Sequence, residues 1–115
     1  MLRLILVKPF VNFFAQIEVV GKENLKDIES AIFVSNHLSD FDTPFIVSIL
    51  PESIRKKLAV ATASDVLFEK PEVKRYAGIL TFLMNTYPFA RKAGAQVKSS
   101  LEYTGRLIDR GFSIL

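Results

Sequence analysis

The chain has 115 residues, half of them hydrophobic, with no cysteine, one histidine, a formal net charge of +3 and a pI near 9.3. Such an apolar composition excludes a disordered chain, the length allows one domain or part of one, and the missing cysteines exclude disulfides, thiol catalysis and cysteine metal sites. The mild excess of cations suits an anionic lipid or phosphate, while a single histidine would leave a zinc shell to carboxylates, so no bound metal is expected.

In chain order, residues 1–15 are apolar but broken by Arg3, Lys8 and Pro9. The stretch lacks a small-residue cleavage site and is too short, with its charges too central, to span a bilayer. Leu2, Ile5, Leu6, Pro9, Phe10, Phe13 and Phe14 share one face, either of a helix lying in a membrane interface with its cations snorkelling to headgroups or of an ordinary core-packing helix. Ala15 to Val20 alternates as a strand does, Gly21 starts a turn, and Lys22 to Ser30 reads as a surface connection with at most one helical turn.

The apolar run Ala31 to Val34 then stops at small polar residues, which lead through Asn36, His37, Leu38, Ser39, Asp40, Phe41 and Asp42 into a second apolar run, Phe45 to Leu50. This is the pattern of strand, tight loop and helix, with Asp40 or Asp42 as cap, Pro44 in the first turn and Pro51 as the stop. Ile54 to Lys57 reads as a basic surface turn and Leu58 to Thr62 as a buried strand.

After a transition from Ala63 to Lys70, Pro71 opens a helix reaching Met84. No charge occurs from Tyr76 to Ala90; this stretch is short of a membrane span and suits an acyl-chain groove, a lipid surface or a helix buried beneath the sheet. A short strand over Tyr87 to Ala90 would carry Arg91 and Lys92 to a strand end, where an arginine fork can hold phosphate. Ala95 to Arg110 is helical, with Ser99 or Ser100 as cap, Glu102 in the first turn, Arg106 and Arg110 near the end and Gly111 as the stop, before a strand from Phe112 to Leu115.

The only histidine sits at a strand end with Asp42 five residues behind it. In one regular helix the two would lie about 140° apart, so they meet only if His37 is outside the helix and the chain folds back. Asp42 would then accept from Nδ1 and leave Nε2 free as a general base. Equally, a lone histidine is often structural and an aspartate before Thr-Pro is often a cap. No Gly-x-Ser-x-Gly elbow occurs around Ser35 or Ser39. The cations are scattered and lack interleaved aromatics, so no nucleic-acid partner is expected.

Asn36-His37-Leu38-Ser39-Asp40-Phe41-Asp42 resembles the Asn-His-x-x-x-x-Asp signature of the glycerolipid acyltransferases, best known through the 1-acylglycerol-3-phosphate acyltransferases. Val19 to Leu25, Ala31 to Ser35, Tyr87-Pro88-Phe89-Ala90-Arg91 and Leu101 to Leu115 resemble further parts of that family in the same order. Its third block, of Phe-Pro-Glu-Gly-Thr type, does not occur, and the last residues fall where it would begin. The resemblance therefore implies an α/β domain truncated at its C-terminus, with a small, largely parallel sheet and helices packed around it. It also implies transfer of a fatty acyl group from acyl-CoA or an acyl carrier protein thioester to a lysophospholipid or glycerol phosphate hydroxyl. In that reading His37 is the base, Asp42 its partner and Arg91 and Lys92 the phosphate contacts. The thioester is a co-substrate and no cofactor is bound. The implied location is the cytoplasmic side of a membrane, with peripheral or monotopic attachment. The competing expectation is a non-catalytic lipid-surface module or an inactive fragment of such an enzyme.

Overall fold

The computed structural model describes residues 8–9, 11–36, 42–67 and 71–115. Its centre is the uncharged run Leu-Ala-Val-Ala-Thr-Ala, which forms β1 (Leu58–Ala63). A strand with no charge on either face suits a position covered on both sides. β2 (Thr86–Phe89) and β3 (Ser113–Ile114) flank it, both parallel, in the order β2-β1-β3.

Beyond β3 the chain adds the beginning of a fourth strand. Ile32 forms a parallel bridge with Ile114, the Phe33 amide donates to the Ile114 carbonyl at 2.7 Å, and the Ile114 amide donates to the Ala31 carbonyl at 2.9 Å. The buried Ser113 hydroxyl accepts from the Ala31 amide at 3.2 Å and holds this edge in place. The expected strand over Ala31 to Val34 is thus a single bridge in a parallel position.

Because successive strand residues face opposite sides, β1 feeds two apolar layers. Leu58 and Val60 pack with Leu50 and Ile54, which follow α1 (Asp42–Ile49) and lie in α2 (Glu52–Lys56), respectively. Ala59 packs with Tyr87 and Ile114, joined by Leu107 of α5 (Ala95–Asp109) and by Phe112. Between β1 and β2 the chain forms the short α3 (Ser64–Leu67) and the longer α4 (Pro71–Met84). The result is an α/β arrangement: a small parallel sheet with helices around it.

Two left-handed residues set the turns that return the chain to the sheet. Asn85, at φ 52°, ends α4, and its Nδ2 donates to the Leu58 carbonyl at 2.7 Å while its own carbonyl accepts from the Val60 amide. Asparagine visits this region at lower cost than most side chains. Gly111, at φ 77°, ends α5, with its amide bonded to the Ile108 carbonyl and the Phe112 amide bonded to the Leu107 carbonyl. That double bond pattern is the Schellman cap.

Several expectations are corrected. Ala15 to Val20 forms no strand; no neighbouring strand pairs with it among the described residues, and Val20 is exposed. Ile54 to Lys57 is not a surface turn: residues 52–56 are helical, and Ile54 is the apolar residue that nails this helix to the core, only 1% exposed. Ser99 and Ser100 do not cap α5, which begins after Gly94, and Glu102 lies in its middle rather than its first turn. On α4, Ile79 and Phe82 are each 59% exposed, so one face of the helix is open to solvent; whether its other face packs beneath the sheet rests on side chains at 73, 76, 77 and 80, which lie outside those described.

Of the N-terminal apolar segment, residues 11–14 are helical; Val11 is fully buried, whereas Phe13 and Phe14 meet edge to face at the surface with ring centroids 5.1 Å apart. Among the described residues no helix is long and apolar enough to cross a membrane.

Candidate active site

In a parallel sheet all strands point the same way, so every strand-to-helix turn opens on the carboxyl edge, where α/β folds place their ligands. Three strand ends reach this edge. The segment that bridges β3 leaves the sheet towards Asn36, β1 passes into α3 at Ser64, and β2 ends just before Ala90 and Arg91.

The register between β1 and β2 decides which side chains meet. Ala63 and Phe89 are partners, so the residues two positions further on, Asp65 and Arg91, emerge side by side. They form a two-pronged ion pair: Arg91 Nη2 donates to Asp65 Oδ2 at 2.7 Å and Nε donates to Oδ1 at 3.3 Å. The hydrogen bonds from Arg91 hold the Asp65 carboxyl below the usual carboxylate range, with the charges of Arg91 and Lys92 acting in the same direction.

The stem of Arg91 is set from below. The Ala90 amide donates to Ser100 Oγ of α5 at 3.0 Å, and Ala90 itself is buried. Two residues earlier than Phe89, the Tyr87 ring packs against Tyr103 and its hydroxyl meets Thr104 Oγ1 at 2.8 Å. Burial away from water pushes the Tyr87 hydroxyl up from its ordinary value. The strand end is therefore clamped while the guanidinium stays open to solvent, its side chain 59% exposed. Lys92 follows, also exposed.

Asp42 is the first residue of α1 and is half-buried. A carboxylate there complements the positive end of the helix dipole. His37 lies outside the described residues, as do Leu38 to Phe41, so the His37–Asp42 contact does too. Of the four residues singled out from sequence, Arg91 and Lys92 stand together after β2 and Asp42 opens α1. Neighbouring strand axes are about 4.8 Å apart, so the edge segment and β2, three strands apart in the order, have axes separated by about 14 Å.

Sequence reasoning missed Asp65 and Ser100. The cue for Asp65 lay in counting from strand ends, because Asp65 and Arg91 are each two residues past the last β residue. That count becomes a contact only once the pairing register is known.

A family model described as Acyltransferase matches residues 16–115. No curated protein and no solved structure gives a match.

Proposed function

Because the chain belongs to the acyltransferase family, we propose that it moves a fatty acyl group from an acyl thioester, carried by coenzyme A or acyl carrier protein, to the free hydroxyl of a lysophospholipid or glycerol phosphate. The observation that carries the phosphate part of this reading is the clamped, solvent-facing Arg91 at the carboxyl edge, with Lys92 beside it.

The chemistry runs as follows. His37 Nε2 takes the proton of the acceptor hydroxyl while that oxygen attacks the thioester carbonyl carbon, and Asp42 orients the imidazole and balances the imidazolium. The carbonyl electron pair moves onto oxygen, then returns as the carbon–sulfur bond breaks. The leaving thiolate recovers the proton from the imidazolium, and the products are an ester and a free thiol. Arg91 and Lys92 bind the acceptor phosphate and fix the hydroxyl relative to the thioester, an orienting role that often supplies much of a two-substrate enzyme's advantage.

Membrane-surface attachment on the cytoplasmic side belongs to the same proposal, because a lysophospholipid acceptor is delivered from a bilayer. It is supported by exposed apolar side chains on two elements, Phe13 before the sheet and Ile79 on α4, with the exposed cations Lys8 and Lys74 nearby in sequence.

The test is thiol release from an acyl-CoA in the presence and absence of a glycerol phosphate acceptor. His37→Ala lowers the transfer rate by about 10² to 10⁴ with an unchanged circular dichroism spectrum; near-normal transfer by this variant rejects the base assignment. Thiol release that does not need the acceptor assigns hydrolysis instead. Liposome binding without turnover in the parent chain, unaffected by His37→Ala, assigns a lipid-surface module.

A further inference from the structure

Arg91 is not left to find a phosphate from a disordered start. Its Nε–H and one Nη2–H are given to the two oxygens of Asp65, which uses the side-on fork of the guanidinium. A guanidinium carries five N–H donors in one plane. The end-on fork, formed by Nη1 and the second Nη2 hydrogen, therefore remains, and among the described residues Asp65 is the acceptor Arg91 meets.

The arrangement has an electrostatic cost to an anion, since a carboxylate sits beside the fork. Lys92, the next residue, offsets it: Asp65, Arg91 and Lys92 together leave one net positive charge at this strand end. Asp65 stands in the first turn of α3, Arg91 follows the anchored Ala90, and the two-pronged pair joins them. The guanidinium plane is thereby defined before any ligand arrives.

We infer that Asp65 is a positioning residue for phosphate recognition, holding Arg91 by its side-on fork so that the end-on fork is presented, already ordered, to the phosphate monoester of the acceptor. This rests on the reading of Arg91 as the phosphate contact and adds to it a partner that no motif in the sequence marked. Its alternative is that Asp65 occupies the fork as a competitor, which a phosphate must displace. The two differ in sign. Positioning means that losing Asp65 weakens phosphate binding, by about two- to tenfold, the effect of having to order one long side chain on binding. Competition means that losing it strengthens binding.

The experiment measures glycerol 3-phosphate binding to the full chain by calorimetry, and the KM for the same acceptor with oleoyl-coenzyme A as donor, in the parent, Asp65→Ala, Asp65→Asn and Arg91→Ala. The expected result is a Kd and acceptor KM raised two- to tenfold in Asp65→Ala, less in Asp65→Asn, which keeps one acceptor oxygen. The kcat and the donor KM stay near parental values, and circular dichroism is unchanged. With Arg91 already replaced by Ala, removing Asp65 should have no further effect. An unchanged or lowered Kd in Asp65→Ala, together with a weakened Arg91→Ala, overturns the positioning role and leaves the phosphate reading intact. Parental binding by Arg91→Ala, or no binding of glycerol 3-phosphate by the parent, overturns the phosphate reading and the positioning role with it.

Discussion

The phenol of Tyr87 lies against two turns of α5, and its neighbours fix the direction of its hydrogen bond. Thr104 Oγ1 is 2.9 Å from the Ser100 carbonyl, which can only accept, so the threonine donates there and Tyr87 donates to Thr104. Burial raises the folded pKa of this phenol above its ordinary 10.0. The unfolded chain then loses the proton first, so the stabilisation is complete below pH 10 and is lost as pH rises through the folded value. Tyr87→Phe should cost about 0.5 to 1.5 kcal/mol in urea unfolding at neutral pH, and the gap between variant and parent should narrow above pH 10. A gap that holds steady to roughly pH 11 would contradict the burial assigned to the hydroxyl. From sequence, Tyr87 belonged to a recognisable block, but its partner did not: Thr104 lies seventeen residues on, and helix periodicity alone does not say which face of α5 turns to the sheet.

At the scale of elements, what could be read was what local chemistry decides. Gly111 announces a helix stop because the left-handed conformation there favours a residue without Cβ, and Pro71 opens α4 for an equally local reason. What could not be read depended on partners. The alternation of Ala15 to Val20 looks like a strand, yet a strand needs a neighbour and none pairs with it among the described residues. The basic run around Arg55 and Lys56 looks like a solvated turn because Ile54, the buried residue that docks the helix, gives no periodic signal. Replacing Gly111 by Ala tests the local kind of cause. An added Cβ meets nothing closer than Lys57 Nζ at 3.6 Å, so the penalty is conformational: about 1 to 2 kcal/mol, with Gly111→Asn milder. Ile54→Ala tests the partner kind, and a cost of roughly 2 to 5 kcal/mol is expected from the cavity under β1. If Ile54→Ala proved the milder of the two, the core would not be anchored through α2 as its burial indicates.

At the scale of the whole molecule, the parallel order β2-β1-β3 is what brings widely separated stretches of sequence to one edge. Chain order does not dictate it, since β3 is last in sequence and lies between β1 and the segment around Ile32. The same sheet leaves apolar side chains outside both layers. Phe13 is 84% exposed and Ile79 59%, on elements that the motifs of the chain do not use, while the net charge is +3. If these side chains seat the protein on a bilayer, two contributions add: apolar area entering the acyl boundary, indifferent to salt, and attraction of the cations to anionic headgroups, which salt screens within about 10 Å at 0.1 M. Co-sedimentation with vesicles should therefore be stronger for phosphatidylglycerol mixtures than for phosphatidylcholine alone, and should fall but not vanish as salt is raised. Phe13→Ser with Ile79→Ser should remove most of the salt-resistant part, by on the order of a hundredfold for two large side chains, while thiol release from acyl-CoA to soluble glycerol 3-phosphate is retained. Equal binding by the double variant would place the membrane contact elsewhere on the chain.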